Sequence, residues 1–365
     1  MIGTPTRPLQ ILVIGAGQAG MAAGYYLRRA GLEPYRDYVI LDANPSPGGA
    51  WQHAWASLRL FSPSEYSSLP GWPMPPWNDG FPPVRHVVDY LTRYQERFQL
   101  PVRHGVKVSA VRHESSSCTS LVVDSSVGLW HPRGVISATG TWDQPFWPSY
   151  PGARDFLGRQ LHAAQYRSPE PFRSSRVVVV GGGNSAAQIL AEVSTVASTT
   201  WITLRPPRFL PDDVDGRVLF DVASARSAAL AAGRSDEGGV SALGDIVMVP
   251  TVQDARKRGI LSARPPFRAL TPHGVAWSDG STEPADDIIW CTGFRPALGH
   301  LAPLRLPRRA GRIAVHGTRA DGDPRVHLLG YGDWTGPASA TLIGVGRTAR
   351  AAVKELLAQL HEEGP

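Results

Sequence analysis

Leu9 to Gly20 reads LQILVIGAGQAG, an apolar strand that runs directly into Gly15-x-Gly17-x-x-Gly20. The next residues, MAAGYYLRRAG, have helical composition, and a second strand, DYVILD, ends at Asp42. Strand, glycine loop, helix, strand and terminal acid in this order form the fingerprint of a dinucleotide-binding unit. Gly15 permits the tight turn, Gly17 lets the backbone approach a pyrophosphate, and Gly20 lets the helix pack close to the strand. The helix N-terminus then presents N–H donors to the phosphates. Asp42 is placed to accept hydrogen bonds from an adenosine ribose.

The same design recurs in RVVVVGGGNSAAQILAEV, Arg176 to Val193. Here the loop is Gly181-x-Gly183-x-x-Ala186, and alanine still allows close helix packing. The following strand, TTWITLR, ends in Arg205 where the first unit has Asp42. An acid would repel a 2′-phosphate, whereas Arg205, with Arg208, pairs with one. The first unit is therefore read as binding FAD and the second as binding NADP, with NADPH favoured over NADH. Two apolar strands, GVISATG (134–140) and DIIWCTG (287–293), both close in Thr-Gly and return the chain to its sheet. Near the C-terminus VHLLGYGD gives one more strand, ending in Asp333, and a long helical run follows. Asp333 is placed for a ribityl hydroxyl, with the helix start expected at Ala340 to Leu342.

The fold class predicted is α/β: two doubly wound dinucleotide-binding, Rossmann-like domains, the NADP domain inserted in the FAD domain. The boundaries expected are 1–150 for the first part of the FAD domain, 151–292 for the NADP domain and 293–365 for the second FAD part.

Composition narrows the function classes. An apolar fraction of 42% over 365 residues suits two ordinary cores. The net charge is +6, but the basic residues are almost all Arg and scattered, so no nucleic-acid face is expected. No signal peptide and no transmembrane run are read, which points to a cytoplasmic protein without a membrane partner. The two cysteines, Cys118 and Cys291, are distant and form no CxxC, so neither a dithiol redox centre nor a metal site is expected.

Between the two units, Phe156 to Tyr166 reads FLGRQLHAAQY, locally an undistinguished connector without a clean period. Its Phe156-x-Gly158-x-x-x-His162-x-x-x-Tyr166 pattern resembles the signature of class B flavin-containing monooxygenases, and Gly48-Gly49-Ala50-Trp51 resembles their GGxW. A narrower resemblance, carried by residues 55–77, 208–220 and 331–350, is to the flavin monooxygenase of bacterial arsenic-resistance operons. The family implies FAD contacts from Gly15, Gly17, Gln18, Gly20, Asp42, Gly49, Ala50 and Trp51. Lys107 and Val108 would lie by the adenine, and Thr139, Gly140, Asp333 and Leu342 would complete the flavin site. On the NADP side it implies Gly181, Gly183, Asn184, Ser185, Gln188 and Arg205, with Thr292 and Gly293 near the boundary. One departure stands out: family members often carry an Asn after GGxW, and none occurs between Asn44 and Asn78.

The resemblance implies NADPH-dependent FAD chemistry through a flavin C4a-(hydro)peroxide, oxygenating a soft heteroatom (S, N or trivalent As) of a small molecule. The partners expected are thus that substrate and O2, with a homodimer left open. His162 and Tyr166 are read as coupling the two domains rather than acting on substrate. Phe61, Tyr66, Trp72 and Trp77, in an irregular Pro-rich stretch, and Trp334 are the candidate substrate residues. The segment 206–270, with its polar GRSDEGG turn, is read as a lid or subunit contact. Alternatives are a Baeyer–Villiger monooxygenase, whose signature usually ends in Trp where Tyr166 stands, and an NADPH oxidase or diaphorase releasing hydrogen peroxide.

Overall fold

The computed structural model describes residues 9–114, 117–214, 216–218, 220–222, 225 and 246–362. The GRSDEGG turn lies outside them. The chain divides into two compact units: residues 1–52, 63–143 and 296–365 form the first, and 53–62 with 144–295 form the second.

The first unit opens with β1 (Leu9–Ile14), α1 (Gln18–Arg29) and β2 (Tyr38–Leu41). After α2 (Val84–Arg97) come β3 (Val102–Arg103), β4 (Val108–Glu114), β5 (Ser117–Ser125), β6 (Gly128–Trp130) and β7 (Pro132–Ser137). Strands β1, β2, β3 and β7 pair in parallel, and β4, β5 and β6 form a separate antiparallel sheet. Because β1 and β2 are buried on both faces, they read as apolar runs, broken only by Gln10, rather than alternating ones. α1 packs its Ala19, Met21, Ala22, Ala23 and Leu27 face inward. The close approach needs Gly20: a Cβ there would lie 1.8 Å from the Gly15 carbonyl oxygen. Gly15 itself has φ +98°, and a Cβ would meet the Ala138 carbonyl oxygen at 2.5 Å.

The second unit contains β8 (Arg159–His162), β9 (Arg176–Val180), α3 (Asn184–Val193) and β10 (Ser198–Ile202). It continues with α4 (Pro250–Lys257), β11 (Ala263–Arg264), β12 (Ala269–Thr271), β13 (Gly274–Ala276), β14 (Thr282–Pro284) and β15 (Asp287–Trp290). Its main sheet is wholly parallel, in the order β11-β10-β9-β15-β8. The connector FLGRQLHAAQY therefore holds a strand: β8 pairs with β15 along its length. Its lack of period is that of an edge strand in which only His162 is buried.

The chain then returns to the first unit through β16 (Arg308–Arg309), β17 (Arg312–Ile313), β18 (Val315–His316), β19 (Arg319–Ala320) and β20 (Val326–Leu328). β20 joins β7 in parallel, and β18 and β19 extend that edge in the antiparallel sense, giving a seven-stranded sheet. The last helix, α5, spans Val345–Glu362. It starts later than the expected Ala340 to Leu342. Ala338 is left-handed at φ +60°, and the Thr341 hydroxyl accepts the Gly344 N–H at 3.0 Å, so residues 337–344 fold as turns ahead of the helix.

Candidate functional site

In the first unit the glycine loop and its neighbours converge. The N-terminus of α1 has Gly17 as its cap, which offers the first turn no side-chain hydrogen bond. A Cβ on Gly49 would meet the Gly17 Cα at 2.7 Å, so the GGxW turn lies directly on the loop. Gln18 ties three segments together: its Oε1 accepts the Trp51 indole N–H at 3.1 Å, and its Nε2 donates to the Ala340 carbonyl at 2.6 Å. An uncapped helix start beside bare backbone is what a pyrophosphate requires.

Asp42 is 4% exposed, and both its oxygens are engaged by backbone. Oδ2 accepts the Ala16 N–H at 2.5 Å and Oδ1 the Asn44 N–H at 2.7 Å. A second lone pair on each oxygen is left for a ligand hydroxyl. The Val106 N–H donates to the Asp42 carbonyl at 2.8 Å, which brings the start of β4, with Lys107 and Val108, beside it. Ala138 and Thr139 press against Gly15, and Thr139 Oγ1 donates to the Ala297 carbonyl at 2.8 Å. Leu342 is buried, while Asp333 is exposed at the head of a short 3-10 turn, Gly332–Trp334.

In the second unit a parallel constellation stands on α3. Gly183 caps that helix without a side-chain bond, and the space over its Cα is open. The Gly181 backbone passes close to the Cys291 carbonyl at the end of β15. Asn184 Oδ1 accepts the Val247 N–H at 2.8 Å, which orients the first helical residue. Ser185 is half-buried and Gln188 buried, whereas Arg205 and Arg208 are exposed in the turn after β10. Thr292 Oγ1 donates to the Phe146 carbonyl at 2.5 Å.

Each residue of the connector signature has a physical role here. Phe156 packs in an apolar cluster with Phe267 and Trp290. Gly158 runs against the Asp286 carbonyl, where a Cβ would stand at 2.4 Å. His162 is fully buried; its Nε2 pairs with the Gly293 carbonyl at 3.0 Å, and its Nδ1 accepts the Ala164 N–H at 3.1 Å. Burial pushes its pKa below the ordinary value, so the ring is neutral. Tyr166 is buried and donates to Glu192 Oε2 at 2.8 Å, while Ser57 donates to Oε1 at 2.6 Å. Trp55 meets Tyr166 edge-on at 5.8 Å, and Phe61 packs against the same core. Sequence reasoning missed Glu192, whose partners are distant in the chain and become visible only in the fold.

The aromatic substrate candidates fall in different segments of the fold. Phe61 belongs to the second unit, and Tyr66, Trp72 and Trp334 to the first. Trp72 stacks near Tyr90 with the Arg93 and Arg97 guanidinium groups over it at 5.4 and 5.3 Å. Trp77 donates its indole N–H to the Asp79 carbonyl, and Trp334 to that of Ile313. Cys291 is a half-buried free thiol whose pKa desolvation raises above the ordinary value.

The chain is similar over most of its length to several known proteins. The family described as pyridine nucleotide-disulphide oxidoreductase matches residues 12–214. A solved flavin-containing monooxygenase from Stenotrophomonas maltophilia is 50% identical, with a TM-score of 0.86, covering 97% of this chain and 99% of that one. An uncharacterized oxidoreductase CzcO of Bacillus subtilis is 29% identical, over 94% of this chain and 98% of its own. A probable indole-3-pyruvate monooxygenase, YUCCA1, of Arabidopsis thaliana is 26% identical over 78% and 75%. The chain belongs to the pyridine nucleotide-disulphide oxidoreductase family and, within it, to the flavin-containing monooxygenases. It is a flavin-dependent monooxygenase with FAD and NADP(H) as cofactors, built on two Rossmann-like domains. Among the described residues no helix is long and apolar enough to cross a membrane.

Proposed function

We propose that the first unit holds FAD, that the second holds NADPH, and that the enzyme oxygenates a soft heteroatom of a small molecule. The observation that carries the reading is an uncapped, glycine-bordered helix N-terminus in each unit of a chain whose two cysteines form no CxxC. Two dinucleotide sites without a usable dithiol point away from disulfide reduction and toward oxygen chemistry. FAD, reduced by NADPH, supplies the activation of O2 when bound.

The chain's own residues bind and orient. Gly17, Gly49 and the first turn of α1 take the FAD pyrophosphate, and Asp42 takes the ribose. Gln18 holds the Trp51 segment and the Ala340 turn in place around the isoalloxazine half, with Thr139, Gly140 and Leu342. Lys107 and Val108 flank the adenine. Gly181, Gly183 and Ser185 take the second pyrophosphate, and Arg205 with Arg208 pairs with a 2′-phosphate. Neutral His162 fixes the Gly293 carbonyl and thereby the exit of β15, with Thr292 locked beside it. No acid–base group is asked to act on substrate. The resemblance of residues 55–77 and 331–350 to the arsenic-operon monooxygenase makes trivalent arsenic one soft centre to try, beside thioethers and tertiary amines.

The test is product analysis under 18O2 with NADPH and one candidate of each kind. One labelled oxygen on sulfur, nitrogen or arsenic supports the proposal. A labelled lactone or ester from a ketone, with none of the three oxidised, replaces it with Baeyer–Villiger chemistry.

A further inference from the structure

Within the first unit, the two places where the chain leaves for and returns from the second unit are tied to one side chain. The outgoing crossing follows β7 through Ala138, Thr139 and Gly140, and the returning one begins at Pro296 and Ala297. The Ala297 N–H donates to the Gly140 carbonyl at 2.9 Å, and Thr139 Oγ1 donates back to the Ala297 carbonyl at 2.8 Å. The Tyr331 hydroxyl stands at the centre. It lies 2.8 Å from Thr139 Oγ1, 3.2 Å from the Thr139 N–H and 3.2 Å from Ser137 Oγ. Ser137 Oγ in turn lies 3.0 Å from His300 Nε2, and both residues are buried.

The cluster is hydrogen-bonded throughout. Burial lowers the His300 pKa to about 4, so the ring is neutral, and the Ala297 backbone is a second hydrogen-bond partner of it. Thr139 Oγ1 has given its proton to Ala297, so it accepts the Tyr331 O–H, while the Thr139 N–H donates to the tyrosine oxygen. Tyr331, Thr139 and Ala297 are thus joined by directed bonds. Such a satisfied buried network fixes a single arrangement.

We propose that Tyr331 is a positioning residue that holds the outgoing crossing at Thr139 and the returning crossing at Ala297 in one register. That register sets the Thr139–Gly140 backbone which the functional reading gives to the flavin, so this part rests on that reading. Tyr331 itself acts through Thr139.

The experiment compares Tyr331→Phe and Ser137→Ala with the wild-type full chain. Hydrogen–deuterium exchange is followed by mass spectrometry over residues 134–143 and 295–301, with 176–193 as internal control. FAD affinity is measured by titrating apoprotein. Tyr331→Phe is expected to speed exchange at both crossings about tenfold or more while leaving the control unchanged, and to weaken FAD severalfold. Ser137→Ala, which leaves the Tyr331–Thr139 bonds in place, is expected to change FAD affinity less than twofold. If Tyr331→Phe does not fold, Thr139→Val removes the hydroxyl bonds to both Tyr331 and Ala297 and is expected to give the same exchange result. Unchanged exchange at the crossings, equal effects of the serine and tyrosine variants, or unaltered FAD affinity would overturn the proposal. The exchange arm needs neither NADPH nor substrate; a wild-type enzyme that oxygenates nothing would count against the functional reading alone.

Discussion

His162 donates from Nε2 to the Gly293 carbonyl at 3.0 Å, and so the motif histidine of the connector is bonded to the last residue of the DIIWCTG segment, beyond β15. Because Nδ1 accepts the Ala164 N–H, the same ring also caps the turn that follows β8. His162→Ala orphans a carbonyl and an N–H, each of which costs about 1–3 kcal/mol of stability by denaturant titration. FAD should be retained, while anaerobic reduction by NADPH slows. Normal reduction by this variant would remove the coupling role given to His162.

The Glu192 carboxylate receives the motif tyrosine on one oxygen and Ser57 on the other. Tyr166→Phe removes the shielded bond and is expected to cost about 1–2 kcal/mol, whereas Ser57→Ala, at an exposed bond, should cost under about 0.5 kcal/mol. Thermal melts of both single variants and the double check this order.

Much of this was legible in the sequence, and the reasons differ by element. β1 and β9 are short apolar runs bounded by glycine loops, so strand, loop and helix follow from local residues. β8 was not legible, because an edge strand that buries only His162 carries no alternation. The start of α5 was misplaced because Thr341 and left-handed Ala338 build turns that composition does not reveal. The excursion of residues 53–62 into the second unit depends on Trp55, Leu58 and Phe61 finding the core around Tyr166. The Tyr331 cluster joins residues 137, 139, 297, 300 and 331, and only tertiary structure assembles it.

Acid lability follows from two buried histidines. His300 and His327 have pKa values lowered by burial to about 4, against an ordinary value of 6.5. The unfolded chain therefore binds protons that the folded chain refuses. Stability is full above pH 6.5 and falls as pH drops from 6.5 towards 4, by on the order of 3 kcal/mol for each histidine. Unfolding free energies at pH 7 and pH 4.5 test this, and His327→Gln should flatten the slope. An unaltered slope would place the lability elsewhere.

Arg205 distinguishes the two nicotinamide cofactors if it meets the 2′-phosphate. Arg205→Ala should raise KM for NADPH roughly tenfold and leave KM for NADH within about twofold. Equal effects on both would mean that the side chain does not read the phosphate.

Asp42 serves the protein before it serves a ligand. Asp42→Asn would set an amide N–H₂ against a backbone N–H, so FAD occupancy after purification should fall with the melting temperature. Retention of full flavin would contradict the ribose assignment.

The central claim is oxygen transfer to a soft heteroatom, and it is tested most directly by an oxygen balance. The reduced, NADP+-bound enzyme is mixed with 18O2 and either a thioether, a tertiary amine or a trivalent arsenical, and labelled product and hydrogen peroxide are counted per flavin. The account predicts one labelled oxygen atom on at least one of these substrates, with peroxide falling in proportion. Recovery of all the oxygen as peroxide, whichever substrate is present, would contradict it.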